Sequence, residues 1–274
     1  MTTSLRSLVK RVLPQWALRA LRRVPGVSRP PQSVHRFTFP HAPAARVASS
    51  FGFSVAAGNL LEQLGEKYAP TRRKHNYLPY YWMHLRDVHL GVRNVLEIGV
   101  QSDRSIRMWE EFFPNATIHG IDIDSACRAF EGGRRRIHIG DQGDVPFLER
   151  VVRAAGAPFD IVIDDGSHVV DHQLRTFEYL FPQISDHGIY VMEDTGSVVG
   201  DYNQVVVNSL KALVDDAMYW PPGFELAKWP QLSRFPAGSS WAARNIIGVA
   251  FYRWIVFVMR GHNPEDNPYL VRDP

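Results

Sequence analysis

Two short runs of this 274-residue chain carry side chains that could do chemistry. Phe159-Asp-Ile-Val-Ile-Asp-Asp-Gly-Ser-His168 reads as an apolar strand that stops in two carboxylates, a turn and a histidine. Gly188-Ile-Tyr-Val-Met192 reads as a second apolar strand, and Glu193 and Asp194 follow it directly. Side by side and parallel, the two strands would bring Asp165, His168, Glu193 and Asp194 to one edge of a sheet. Three hard oxygen ligands beside an imidazole suit a magnesium-type site with a general base, because carboxylates favour Mg2+ over soft metals. Each group also has a plainer reading. Asp164-Asp165 could cap the next helix, His168 could be a hydrogen-bonded turn residue, and Glu193-Asp194 could be a solvated turn. His172, one helical turn further on, could be structural or could assist His168. The joint placement at adjacent strand ends favours function.

The elements that must position these groups alternate from residue 93 onward. Val95–Ile98, Thr117–Ile123, Arg136–Ile139, Ile161–Ile163 and Ile189–Met192 have the short apolar pattern of buried strands. Between and after them, Asp103–Phe113, Phe147–Ala155, Val170–Leu180 and residues 204–218 have helical spacing, with Ile106, Trp109 and Phe113 on one face of the first. Arg244–Tyr252 and Ile255–Arg260 read as two last strands joined as a hairpin. The predicted fold is α/β: a Rossmann-like, doubly wound, mostly parallel seven-stranded sheet with an antiparallel C-terminal hairpin and an N-terminal helical extension. Residues 1–50 form a basic arm and linker, 51–90 a helical cap and 91–274 the main domain. Residues 220–241, rich in Pro, Gly, Ser and aromatics, suit a lid or an ordinary surface loop equally.

In open α/β sheets ligands bind beyond the carboxyl ends of the strands. Acids mark those ends here: Glu97, Asp122, Asp141, Asp164/Asp165 and Glu193/Asp194. The first turn, Glu97-Ile-Gly-Val-Gln-Ser-Asp-Arg-Ser105, lacks the second and third glycines of a pyrophosphate loop, with Gln101 and Arg104 in their places. With an acid ahead of the loop, the pocket suits a ligand without phosphates and with positive charge. Gly99 lets the backbone approach closely. Asp122 is placed to accept ribose hydroxyls, and Asp141 and Gln142 could receive an adenine amine. The aromatic run Tyr77, Tyr80, Tyr81 and Trp82 could stack on a sugar, cover a cofactor or simply fill the core.

Charge is unevenly spread. Residues 1–61 hold nine Arg or Lys and no Asp or Glu, so the rest carries a net −6 against +3 for the whole chain. The basic character belongs to the arm, and no nucleic-acid partner is expected for the main domain. Leu5, Leu8, Val9, Val12, Leu13 and Trp16 recur at helical spacing among arginines. Such a helix could lie on an anionic membrane surface, giving peripheral contact through residues 1–24, or could pack on the body or a second subunit. Pro25, Pro30, Pro31, Pro40 and Pro43 mark a linker. The single cysteine, Cys127, excludes an internal disulfide and points to a reducing cytoplasm. No apolar run reaches the roughly 20 residues that span a bilayer, and no secretory leader is expected.

The order E-x-G, G-I-D-I, G-D-Q resembles class I S-adenosylmethionine-dependent methyltransferases. More specifically, I-D-D-G-S-H, F-P, G-x-Y-V-x-E-D and the upstream H-N-Y-x-x-Y-Y resemble the metal-dependent sugar O-methyltransferases of actinobacterial natural-product pathways, those of macrolide deoxysugars foremost. The resemblance spans about residues 66–262. It implies Mg2+ on Asp165, Glu193 and Asp194, with His168 as base. It implies S-adenosyl-L-methionine contacts at Glu97, Gly99, Ser105, Asp122 and Asp141, and Val100, Gln142 and Asp164 belong to the same expected set. It also implies a saccharide or glycosylated small-molecule substrate and a homo-oligomer. Two other functions fit the same motifs: methylation of a phenol or catechol, and a non-catalytic membrane-surface scaffold that retains the cofactor fold. Cephalosporin-hydroxylase-like proteins share similar motifs.

Overall fold

The computed structural model describes residues 59–195, 203–218 and 240–263. The arm, the linker and almost all of the 220–241 segment lie outside the described residues. Three helices lead: α1 (Leu60–Tyr68), α2 (Thr71–Lys74) and α3 (Leu78–Leu85). Asn59 caps α1 by accepting a hydrogen bond from the Glu62 amide. Then follow β1 (Asn94–Ile98), α4 (Asp103–Phe112), β2 (Thr117–Asp122), β3 (Arg135–Ile139), α5 (Val145–Ala155), β4 (Phe159–Asp164), α6 (Val170–Leu180), β5 (Ile184–Met192), α7 (Asn203–Ala217), α8 (Trp241–Asn245), β6 (Ile246–Tyr252) and β7 (Ile255–Arg260). The sheet runs β3-β2-β1-β4-β5-β7-β6, parallel from β3 to β5 and antiparallel through β7 and β6. The predicted doubly wound sheet with its terminal hairpin is therefore present. Chain direction along the sheet reverses between β1 and β4, which is where a ligand crevice opens.

Two boundaries differ from the sequence reading for local reasons. Arg244 and Asn245 are helical, because Ser240 caps α8 through the Ala243 amide at 2.9 Å, so β6 begins only at Ile246. β5 starts five residues earlier than expected, at Ile184, across an irregularity in its pairing with β4. A 3-10 turn, Ser125–Phe130, capped by Asp124, also stands where no element was expected.

Both faces of the sheet are covered, so alternation along each strand sends residues to two separate cores. On one face Val95, Ile118, Ile161, Ile163, Val191 and Phe257 pack with α4 and with Leu61, Leu64, Tyr77, Tyr81 and Leu85 of the leading helical segment. On the other, Leu96, Ile98, Ile121, Val162, Tyr190 and Met192 pack with α5, α6 and α7. Leading helices and sheet thus share one core. No helix of the described residues is long and apolar enough to cross a membrane.

Candidate active site

A cavity of about 510 Å³ lies beyond the carboxyl ends of the parallel strands. That volume suits a small-molecule ligand. It is lined by the loops at residues 99–102, 122–124, 140–142 and 165–168, by Ser105 and Asp194, and by Pro70, Thr71 and His75 from the leading segment. Gly99 adopts φ +89, and a Cβ there would stand 2.1 Å from the Asp165 carbonyl oxygen. Glycine is needed because the β4 loop presses on its backbone. Asp122 accepts hydrogen bonds from the Gln101 amide at 2.7 Å and the Asp124 amide at 2.8 Å. Asp141 accepts from the Gly143 amide at 2.8 Å. Each carboxylate oxygen keeps a second acceptor position for a ligand hydroxyl or amine. Gln142 is buried between Asp164, to which its amide donates at 3.1 Å, and the Ser167 amide, from which it accepts at 2.7 Å. His172 lies 3.0 Å from the Ser167 hydroxyl and 3.7 Å from Asp141, on the cavity wall.

The acid end of the cavity is tighter. His168 Nε2 stands 3.6 Å from Asp194 Oδ2 and 3.9 Å from Asp165 Oδ1. One ligand atom from each of these three residues falls within 4.8 Å of the others, the spacing of groups that could hold a metal ion. The other ring nitrogen, Nδ1, is buried without a protein partner, so Nε2 is the nitrogen that faces the carboxylates. Gln101, His168 and Asp194 all have positive φ, at 51, 54 and 53°. Left-handed backbone at three non-glycine residues of one cavity is strain of the kind that collects at functional sites.

Three expected site residues do not face the cavity. Glu97 is fully buried, because the two-residue alternation of β1 sends it with Val95 toward α4, where Trp109 donates to it at 3.3 Å. Asp164 points to the opposite core and accepts from Gln142 and, at 3.0 Å, from the Tyr190 hydroxyl. Glu193 lies behind the cavity wall, and His168 takes its place in the converging group. Burial pushes the carboxyls of Glu97 and Asp164 up. Burial and the Glu193 charge push Asp165 well above the usual carboxylate range, against the pull of Arg72.

The chain matches known sugar methyltransferases. It is 36% identical over 208 residues to the mycinamicin VI 2''-O-methyltransferase of Micromonospora griseorubida, covering 70% of this chain and 49% of that protein. It is 32% identical over 224 residues to the demethylmacrocin O-methyltransferase of Streptomyces fradiae, covering 75% and 54%. A solved structure of the MycE methyltransferase from the mycinamycin pathway, in complex with Mg, SAH and mycinamycin VI, superposes with a TM-score of 0.64 at 32% identity, covering 79% of this chain and 58% of that one. By sequence and fold, the chain belongs to this class I methyltransferase family. No family model matches it. The chain spans about half the length of the curated relatives it matches.

Within this family fold, the sequence reading missed one site residue and left open the role of two others. Arg72 is 1% exposed and sits among the acids, 2.8 Å from Glu97, 3.1 Å from Asp165 and 2.5 Å from Glu193. Nothing separates it in sequence from its neighbours Arg73 and Lys74, which are exposed. Tyr77 and Tyr81 are fully buried, and their hydroxyls donate to Asp194 and Glu193 instead of stacking on a ligand. Their four-residue spacing was the available signal. Burial and these acids push both phenols up, so they remain donors. Tyr80 stacks on Tyr252 at 4.3 Å, and Trp82 packs on the core.

Proposed function

We propose that this protein is an S-adenosyl-L-methionine- and Mg2+-dependent O-methyltransferase that methylates a sugar hydroxyl of a glycoside, polysaccharide or glycosylated natural product. The observation that carries the reading is the convergence of Asp165 and Asp194 on His168, at one end of a cavity whose other end is Asp122. The donor set fits both groups: hard carboxylate oxygens for Mg2+, and a cavity of suitable size with an acid after β2 for the nucleoside. When bound, the sulfonium supplies an electrophilic methyl, and Mg2+ lowers the pKa of a hydroxyl and fixes its direction.

The chain's residues do the rest. Asp165 and Asp194 would hold the cation from the cavity side, and Glu193, buried behind them, would be the third carboxylate through Oε2, the oxygen that Arg72 and Tyr81 do not tie. His168 Nε2 accepts the proton of the acceptor hydroxyl. Asp122 would accept hydrogen bonds from the ribose hydroxyls, Asp141 and Gln142 would flank the adenine, and Gly99, Val100 and Ser105, which line the cavity, would wall the methionine portion. Glu97 and Asp164 support this wall from behind. Residues 1–50 form an arm outside the catalytic unit, and contact with a membrane surface through residues 1–24 belongs to the same proposal.

The test is a transfer assay with S-adenosyl-L-methionine and a panel of deoxysugar glycosides, with products read by mass spectrometry. A glycoside product one methyl heavier is expected. Methylation of catechols with every glycoside left untouched would overturn the sugar reading. Cofactor binding without any turnover would favour a scaffold.

A further inference from the structure

The leading helical segment reaches the acids from behind, and it takes one oxygen of each. Arg72 Nη2 holds Asp165 by Oδ2, while Oδ1 is the oxygen that faces His168. Tyr77 donates to Asp194 Oδ1 at 2.5 Å, while Oδ2 faces His168. Arg72 Nε and the Tyr81 hydroxyl both donate to Glu193 Oε1. The guanidinium is itself fixed. Its third nitrogen pairs with Glu97, which Trp109 also holds, and the Trp109 ring lies over it at 5.5 Å.

We propose that Arg72, Tyr77 and Tyr81 are positioning residues that hold the three carboxylates by one oxygen each, so that the site selects a small octahedral cation over Ca2+. This rests on the divalent-cation reading above. A carboxylate free to rotate can chelate through both oxygens, which suits Ca2+ with its six to eight ligands. One whose second oxygen is already taken offers a single oxygen. Three such oxygens would suit the six-coordinate demand of Mg2+ better than the larger ligand number of Ca2+. The fork of Arg72 matters for the same reason: its separate nitrogens fix Asp165 relative to Glu193, which one ammonium cannot do.

Tyr77→Phe and Tyr81→Phe carry the test, because each removes one hydroxyl and leaves the buried ring. Mn2+ binding to the full chain is followed by electron paramagnetic resonance, with Mg2+ and Ca2+ as competitors. The expected result is Mn2+ affinity weakened about 10–100-fold in Tyr77→Phe, the range for partners that orient metal ligands. The preference for Mg2+ over Ca2+ should shrink in both variants, and more in Arg72→Lys. S-adenosylhomocysteine affinity without metal should stay at the wild-type value. A lowered thermal midpoint with the wild-type cation preference in both tyrosine variants would overturn the proposal and leave these residues merely structural. Wild-type protein that binds no Mn2+ would overturn the cation reading itself, and this proposal with it.

Discussion

The two ends of the cavity are built in different ways. At the β1–β3 end, polar groups are held by their own loops: Asp122 by amides two residues after it and 21 before it, Asp141 by the amide two residues on. At the β4–β5 end, the acids are held by side chains from the leading helical segment, 93 to 121 positions away in sequence. The first end is a half-exposed rim of turns. The second is a largely buried ion network, in which Arg72 offsets part of the mutual repulsion of the acids. Cofactor and cation sites can therefore fail independently, one through a loop and the other through a distant helix.

The sharpest way to separate the ends is to strip the cation. Exhaustive chelation with EDTA should abolish methyl transfer, and added Mg2+ should restore it, while S-adenosylhomocysteine still binds by calorimetry. Full turnover after chelation would leave the acid end with no cation to hold.

Next in size is His168. Its replacement by Ala or Gln should lower kcat by roughly 10²–10⁴, the range for general acid–base catalysis. Mn2+ affinity decides its role, since His168 belongs to the same converging group as Asp165 and Asp194. Unchanged Mn2+ binding with lost turnover marks a base, and joint loss of both marks a ligand. Near-normal turnover would shift the base role to His172.

Asp122→Ala tests the other end. Hydrogen bonds to a charged group contribute about 1.5–3 kcal/mol, so S-adenosylhomocysteine affinity should fall roughly 10–100-fold. Mn2+ binding should not move. If the substitution weakens both ligands together, the two ends are coupled.

The smallest effect concerns pH beneath the cofactor end. His119 on β2 faces the α5 side of the sheet, 3.1 Å from His138, and burial, then His138 and Arg136, lower its pKa from the usual 6.5 to about 4. The neutral ring is favoured when folded, so the unfolded chain takes up the proton first. Stability is therefore full above pH 6.5 and declines as pH falls toward 4, by about 1–3 kcal/mol from this group. Urea denaturation of the wild type and His119→Phe across that window should show a flatter profile in the variant. Parallel profiles would mean that carboxylates alone set the acid response.

The amino-acid sequence by itself determined the strands, their order of appearance and the acids that end them, because apolar runs bounded by turn residues depend on neighbours a few positions away. It placed Asp122, Asp141, Asp165, His168 and Asp194 at a common edge on that local information. Only the tertiary structure decided which acids reach the cavity. Glu97, Asp165 and Glu193 fall on one face by strand alternation, and that face is covered by helices, so Glu97 and Glu193 are buried behind the wall. Period two was legible in the sequence, but which side each face would be covered from was not. The role of Arg72 was equally hidden: among neighbouring cations only burial distinguishes it, and burial is created by contacts with strands that the chain forms a hundred residues later.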